Sequence, residues 1–294
     1  MIGIPHYTIN MEEEFRKHVI DNFAEEYKNC RTPNPCIECN RYLKFGAMYR
    51  KAKELECDYI ATGHYAIVEF DSGYSRYVLR RAKNILKDQS YVLYSIPQEI
   101  ISKVLFPLGK FNSKDEVRAI ASKNNLLIAN KKESQDICFI PDGNYTKFLE
   151  DNFDFHENQG DIVNIDGNVL GKHRGLYRYT IGQRKGLGVS YKHPLFVKDF
   201  DKKNNRLIVA EEKEIYRREF LVSNINLLLF DKIVNKMEVL VKVRYSSKLE
   251  KATIEVVSKG IIKVMLEKPL PRITSGQSAV FYINDIVLGG GKII

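Results

Sequence analysis

The C-terminal part of the chain alternates repeatedly between apolar and polar side chains, and this pattern limits the fold more than any other feature. A period of two residues is typical of strands that bury one face. Turn residues separate the alternating segments at Lys259-Gly260 and Asn284-Asp285. We therefore predict a small terminal β-barrel. The alternating segments are residues 239–244, 253–257, 261–266, 278–283 and 286–288.

The N-terminal part has a different pattern, in which helical spacing and a strand alternate. Aromatic and valine side chains recur every fourth residue over 11–27, which predicts an amphipathic helix before a proline-containing loop at 31–40. A second helix is expected over 45–55. Residues 59–62 resemble a buried strand that ends at Gly63, the arrangement by which α/β sheets present loops at their carboxyl edge. This part is therefore expected to be α/β.

A third pattern begins at Gly160, where short alternating segments and turns indicate a small β-rich domain. The chain is then expected to divide into three domains. These are an α/β domain over 1–148, a β-rich central domain over 149–212 and a β-barrel over 213–294.

Positive charge is concentrated in the central domain. The chain has a formal net charge of +9. Between Lys172 and Arg206 there are ten Lys or Arg against only Asp199 and Asp201, a local surplus of +8. Such a segment favours a polyanion partner, although basic surface also serves solubility. Arg174, Arg178, Arg184 and Lys185 are the strongest candidates for RNA contacts.

The five cysteines are too few, and odd in number, for a disulfide scaffold. No apolar run reaches the length of a membrane span, and the N-terminus lacks the pattern of a signal peptide, so we expect a cytoplasmic protein. A Cys-x-x-Cys pair, Cys36 and Cys39, then indicates redox or metal chemistry. Cys39 precedes a helix with Arg41 and Lys44 nearby, so we predict a lowered thiol pKa.

Several motifs together resemble the tRNA-specific 2-thiouridylases. They occur in the family's order at 32–46, 58–66, 87–91, 134–139, 171–186 and 276–280. The resemblance implies a catalytic domain of the adenine-nucleotide hydrolase type, a central domain, and a C-terminal β-barrel that helps to hold tRNA. It also implies an enzyme, a tRNA-uridine 2-sulfurtransferase.

The reaction implied by the resemblance is ATP-dependent transfer of sulfur to C2 of the wobble uridine of tRNA. ATP adenylates the C2 oxygen, and sulfur then displaces AMP. By resemblance, Cys138 carries the sulfur as a persulfide that a sulfur-donor protein supplies. Cys39 is the nucleophile that attacks this persulfide, which leaves a Cys39–Cys138 disulfide.

Binding residues also follow from the resemblance alone. Asn34, Pro35 and Cys36 correspond to the wall of the target-base pocket, and Gly63 to an ATP contact. The corresponding tRNA contacts are His64, Lys87, Asp88, Gln89, Arg244, Tyr245 and Gln277, to which the basic segment adds Arg174 and Arg184.

The sequence departs from the family pattern in two ways. The family's N-terminal Ser-Gly-Gly-x-Asp-Ser pyrophosphate loop does not occur in it. We therefore expect little ATP binding by this chain alone, with the loop supplied by a separate chain or lost. The alternative function is a non-catalytic tRNA-binding or cysteine-cluster module. The second departure is Cys36, where many members have aspartate.

Cys36 leaves the sulfur chemistry open. Cys36, Cys39 and Cys138 could hold three irons of an iron–sulfur cluster, whose fourth iron would carry sulfur. A structural zinc site would need Cys30 or His64 as a fourth ligand. A thioredoxin-like redox pair is a further alternative.

Overall fold

The computed structural model describes residues 3–126 and 137–294 of the chain. An unbroken helical segment opens it: α1 (Glu12–Phe15), a stretch of π-type turns (Arg16–Ile20) and α2 (Asp21–Lys28). The side chains that recur every four residues lie on its inner side, which confirms the predicted helix. Val19, Phe23 and Tyr27 are buried.

A second unbroken segment, which we call the cysteine helix, covers residues 35–54. It consists of α3 (Pro35–Glu38), a π-helical stretch (Cys39–Ala47) and α4 (Met48–Glu54). The predicted extended loop therefore ends at Asn34, earlier than the sequence indicated. Proline favours the first position of a helix because its φ is already helical and no N–H is needed there.

The strand predicted at 59–62 is short. β1 (Ile60–Ala61) pairs in parallel with β4 (Val104–Leu105). The hairpin between them, β2 (Ala66–Asp71) and β3 (Arg76–Arg81), instead extends the sheet of the C-terminal barrel. Four 3₁₀ turns follow, and α5 (Lys114–Lys123) begins after Ser113, whose hydroxyl caps the helix by accepting from the Glu116 N–H. The turns are Ile85–Lys87, Ser90–Val92, Gln98–Lys103 and Pro107–Lys110.

The central part consists of α6 (Tyr145–Asn152) and a four-stranded sheet with the order β6-β5-β8-β7. Its apolar faces form a separate core around Ile162, Leu207 and Val209, which are fully buried. Two 3₁₀ turns, Leu176–Arg178 and Glu212–Glu214, border the sheet. The strands are β5 (Gly160–Val163), β6 (Val169–His173), β7 (Leu195–Asp201) and β8 (Arg206–Glu211).

The C-terminal strands form a closed six-stranded barrel, because β13 pairs with both β10 and β14. All five predicted segments are strands. The longest strand, β9, was not predicted, because its burial does not alternate regularly. The strands are β9 (Tyr216–Leu227), β10 (Met237–Lys242), β11 (Glu250–Ser258), β12 (Ile261–Pro271), β13 (Ser278–Ile283) and β14 (Ile286–Ile293).

The barrel and the N-terminal part share one apolar core. The Tyr91 hydroxyl donates to the Ser278 carbonyl at 2.9 Å, and the Tyr94 hydroxyl is 3.0 Å from the Ser278 hydroxyl. Tyr282 of the barrel packs in the same cluster. The predicted fold class is confirmed, whereas the exact domain limits stay a prediction. No helix within 3–126 or 137–294 is long and apolar enough to cross a bilayer.

Candidate functional site

An open groove of about 800 Å³ lies where the cysteine helix, the loop after β1, the turn at 85–89 and the barrel meet. Side chains from five separate parts of the sequence line it, the fifth being Lys114 at the start of α5, so the tertiary structure alone assembles it. Seven of the site residues expected from the sequence are among them. They are Asn34, Cys36, Gly63, His64, Lys87, Gln89 and Tyr245.

The loop that carries Asn34 is held on the C-terminal barrel. The Gln277 side-chain amide donates to the carbonyl oxygens of Thr32 at 2.9 Å and Pro33 at 3.1 Å. The Thr32 N–H donates to the Ser275 carbonyl at 2.9 Å. Gln277 was expected to contact tRNA; in this structure its amide donates to the loop, and the tRNA contact stays a prediction.

Two cations hold the other end of this loop. Arg31 pairs with Glu26 at 2.8 Å, and Lys292 of β14 lies 3.4 Å from the same carboxylate. Glu26 is only 4% exposed. Burial alone would raise its pKa, but the hydrogen bonds and charges of Arg31 and Lys292 bring that pKa below its ordinary value. The loop is therefore fixed to the first helix, which Lys292 in turn joins to the terminal strand.

The three cysteines of interest are free thiols, of which Cys36 lines the groove and Cys39 and Cys138 do not. Cys36 and Cys138 are exposed, and Cys39 is half-buried. Although Cys36 is exposed, the walls of the groove partly desolvate its thiol. This desolvation and the neighbouring Cys138 raise the Cys36 pKa, whereas Lys44 lowers it. The residues 134–136 that precede Cys138 in its motif lie outside the described residues.

The prediction of a lowered pKa for Cys39 is wrong. Burial raises the Cys39 pKa, and Cys138 and Cys36 raise it further, against the opposing charge of Lys44. Arg41, which was expected to help, lies over the Tyr42 ring at 5.3 Å and lines a different cavity. Lys44 is therefore the cation that favours the thiolates of Cys36 and Cys39.

Lys44 was expected from the sequence only as a cation near Cys39, and its place in the groove was not predicted. It lies five residues after Cys39, a spacing that would place the two on different faces of an α-helix. The π-type turns of this stretch widen the helix and bring residues five apart closer together. No sequence signal for these turns was available, although π-helical segments often occur at functional sites.

His64 is buried, with an 8% exposed surface, between Lys44 and Thr62. Because an ammonium group only donates, Lys44 Nζ donates to His64 Nε2 at 3.3 Å. The ring proton is then on Nδ1, 2.7 Å from the Thr62 hydroxyl, to which it donates. Burial, with the Lys44 charge second, lowers the His64 pKa to about 4. His64 is therefore neutral at pH 7.

This histidine predicts a pH dependence of stability. The unfolded chain takes up a proton near pH 6.5 but the folded site only near pH 4, so stability falls as the pH falls through this interval. The loss reaches about 3 kcal/mol at its lower end. In His64→Asn the melting temperature should decline less between pH 7 and pH 4. His193→Asn, at an exposed histidine, is the control and should follow the wild type.

The buried carboxylate of Asp88 holds the turn at 87–89 in place. Asp88 is 4% exposed; its carboxylate accepts from the Ala82 N–H at 3.0 Å and the Ser90 hydroxyl at 2.9 Å, and it pairs with Arg81 at 3.2 Å. These contacts favour a structural role for Asp88, and its expected tRNA contact stays a prediction. Gln89 joins the same turn to the loop after β1.

Arg244 and Tyr245 follow strand β10. Arg244 is half-buried, and burial together with the charge of Arg272 lowers its pKa. Tyr245 is 45% exposed and presents its ring at the groove. Lys242 Nζ lies 5.3 Å from the centre of that ring. An exposed ring with a cation beside it can stack on a nucleobase.

The basic segment lies on the central domain, and none of its residues lines the groove. Part of its charge is neutralised by neighbours. Arg174 Nε donates to Glu157 at 2.9 Å, and Arg178 pairs with Glu150. Arg184 and Lys185 are exposed, and no ion pair to either is seen in the described ranges.

The fold defines a class of protein in which an α/β domain is followed by two β domains. Family models agree with this class in chain order. They are the tRNA methyl transferase HUP domain over residues 1–142, the tRNA methyl transferase PRC-barrel domain over 146–211 and the aminomethyltransferase beta-barrel domain over 217–293.

Curated relatives then specify the family. The chain is 45% identical over 292 residues to the tRNA-specific 2-thiouridylase MnmA of Halothermothrix orenii, covering 99% of this chain and 81% of the relative. It is 48% identical to the protein of the same name from Caldicellulosiruptor saccharolyticus, covering 100% and 81%. For Clostridioides difficile the identity is 41%, with coverage of 99% and 81%. The chain belongs to the tRNA-specific 2-thiouridylase family.

Proposed function

We propose that this protein is a tRNA-uridine 2-sulfurtransferase that thiolates C2 of the wobble uridine in an ATP-dependent reaction. The observation that carries the proposal is the groove, because it brings together the cysteine helix, Gly63, His64 and Tyr245 from distant parts of the sequence. Family membership supports the same function. We also propose a cytoplasmic location.

The chemistry needs activation because the C2 oxygen of uridine is a poor leaving group. ATP adenylates that oxygen and releases pyrophosphate. The terminal sulfur of a persulfide on Cys138 then attacks C2, and AMP leaves with the oxygen. Cys39 attacks the inner sulfur of the persulfide, which breaks the S–S bond and forms a Cys39–Cys138 disulfide. A dithiol reductant restores both thiols, and a sulfur-donor protein reloads Cys138.

The groove residues fit parts of this reaction. Cys138 is close enough to Cys39 to raise the pKa of the Cys39 thiol, and a disulfide likewise needs the two sulfurs close together. Lys44 favours the thiolate that attacks. Gly63 is open toward the groove, where an added Cβ would meet only Leu108 at 3.7 Å. With Lys44, Lys87 and Lys114 on the same walls, this surface suits a nucleotide phosphate or an RNA backbone.

The iron–sulfur alternative remains a proposal of its own. Within residues 3–126 and 137–294, no group of three His, Cys, Asp or Glu side chains is arranged to hold a metal ion. Iron and acid-labile sulfide should be measured after anaerobic purification. About four irons per chain would favour the cluster, and their absence from active protein would favour the disulfide route.

A thiolation assay tests the function. Purified chain, ATP, a sulfur donor, a reductant and tRNA are incubated, and digested RNA is analysed by mass spectrometry for 2-thiouridine. The proposal expects ATP-dependent product. If the chain binds tRNA but forms no product, even with candidate partners that supply a pyrophosphate loop, the non-catalytic tRNA-binding module becomes the better explanation.

The ion pairs of the basic segment predict unequal effects of two arginines. Arg184→Ala should weaken tRNA binding and reduce the salt slope of log Kd by about one. Arg174→Ala should have a smaller effect, because Glu157 already neutralises this arginine. Binding is measured by filter retention at several salt concentrations. Equal losses for the two variants would show that the ion pair opens on RNA binding.

A further inference from the structure

Leu86 is the most exposed large hydrophobic side chain in the described part of the protein, at 93%. Single exposed leucines are common and usually need no explanation. Leu86 differs in its position, because it lies at the wall of the groove beside Lys87. Its neighbour Ile85 is 53% exposed but does not line the groove.

The backbone that carries Leu86 is tightly held. The Asn84 side chain accepts from the Leu86 N–H at 3.2 Å, and the Asn84 carbonyl accepts from the Lys87 N–H at 3.0 Å. The buried Asp88 anchors the end of the turn. Gln89 also bonds the Tyr65 backbone in both directions, at 2.8 and 2.9 Å. An apolar side chain is thus presented to solvent from a fixed backbone, which has little conformational freedom to lose on binding.

The surroundings of Leu86 suit a nucleic acid better than an apolar protein partner. Lys44, Lys87 and Lys114 line the same groove, and Tyr245 presents its exposed ring there. Lysines attract phosphates, and the ring can stack on an extruded base. An apolar side chain among such groups can insert between stacked bases as a wedge. Enzymes that act on a base take it out of the stack, and proteins that unstack nucleic acids often insert an apolar side chain.

We propose that Leu86 is a positioning residue that inserts into the anticodon stack next to the target uridine and keeps that uridine extruded into the groove. This inference rests on the proposed function and adds to it how the base is exposed. The RNA backbone is held by the basic groove, so Leu86 contributes to base extrusion more than to affinity.

The test uses the full chain and an anticodon stem-loop RNA with 2-aminopurine beside the target uridine. The fluorescence of 2-aminopurine rises when it unstacks, and this readout needs neither ATP nor a sulfur donor. Wild type should raise the fluorescence. Leu86→Ala should reduce this rise and the rate of thiolation by about tenfold. Unstacking a base costs a few kcal/mol, and without Leu86 the remaining contacts supply only part of it. Its RNA affinity should stay within about twofold.

Two further variants make the test specific. Leu86→Met keeps an apolar side chain of similar volume and should restore both signals. Ile85→Ala removes a neighbouring apolar side chain that does not line the groove and should behave as wild type. The proposal is overturned if Leu86→Ala equals Ile85→Ala, or if Leu86→Ala loses RNA binding in proportion to activity. A wild type with neither RNA binding nor product would instead refute the proposed function itself.

Discussion

Cys39→Ser and Cys138→Ser are each expected to abolish formation of 2-thiouridine, with a loss of about a thousandfold or more. A serine hydroxyl cannot carry a persulfide, and it is not ionised at neutral pH, so it cannot attack one. The measurement is the initial rate of product by mass spectrometry. The tRNA affinity should be unchanged, because neither side chain is needed to hold the RNA.

Cys57→Ser is the matched control for these variants. Cys57 is also a free thiol, but it lies beyond the end of the cysteine helix, where its sulfur is 3.7 Å from the Leu55 carbonyl, and it is not part of the proposed sulfur site. Activity equal to wild type is expected. Retention of most activity in Cys39→Ser would contradict its role as the nucleophile.

Cys36→Asp separates the two sulfur routes within the same experiment. In the disulfide route Cys36 is part of the base-pocket wall, and aspartate, which many family members have at this position, should preserve activity. In the cluster route Cys36 is a ligand, so the same change should remove both iron and activity. Iron content and product are measured on one preparation.

Gly276→Ala is expected to displace the loop that carries Asn34 and to lower the thiolation rate by about a hundredfold, the effect of misplacing groups in a site by about 1 Å. Gly276 has φ of +90°, and an added Cβ would lie 2.9 Å from both the backbone N and O of Thr32. Both contacts are with backbone, which cannot rotate away. The free energy of unfolding should also fall, by about 1–2 kcal/mol for the left-handed φ and by about 1–3 kcal/mol more for the contact.

Gly260→Ala provides the control for this substitution. Gly260 has φ of +74°, and nothing lies within 4 Å of an added Cβ. It should therefore lose only the stability due to φ and keep full activity. Chemical denaturation and the thiolation rate are measured for both variants. If Gly276→Ala matches Gly260→Ala in both measurements, the barrel does not position the loop.

The regular elements were largely predictable because their patterns are local. The four-residue spacing between Phe15 and Tyr27 and the alternation in the last third of the chain report which face is buried, whatever the partner. The cap at Ser113 is equally local, and its hydroxyl accepts from the Glu116 N–H at 3.2 Å. Strand β9 was missed because its neighbours and its bulges determine its burial.

The site was predictable only in part. Family motifs named most groove residues, but not the contacts that decide what each can do. Asp88 and Gln277 have internal partners that no motif shows. The pKa of Cys39 was predicted in the wrong direction, because burial depends on packing from other parts of the chain.

By itself, the sequence determined the element types, the order of an α/β domain and two β domains, the basic character of the central domain and the family. These follow from side-chain periodicity, charge and motifs, which are properties of neighbouring residues. Only the tertiary structure decided that the barrel holds the loop before the cysteine helix, that π-type turns bring Lys44 toward Cys39, and that Leu86 stands at the groove. Distances between residues far apart in sequence, and the loss of solvent around them, arise only when the chain is packed.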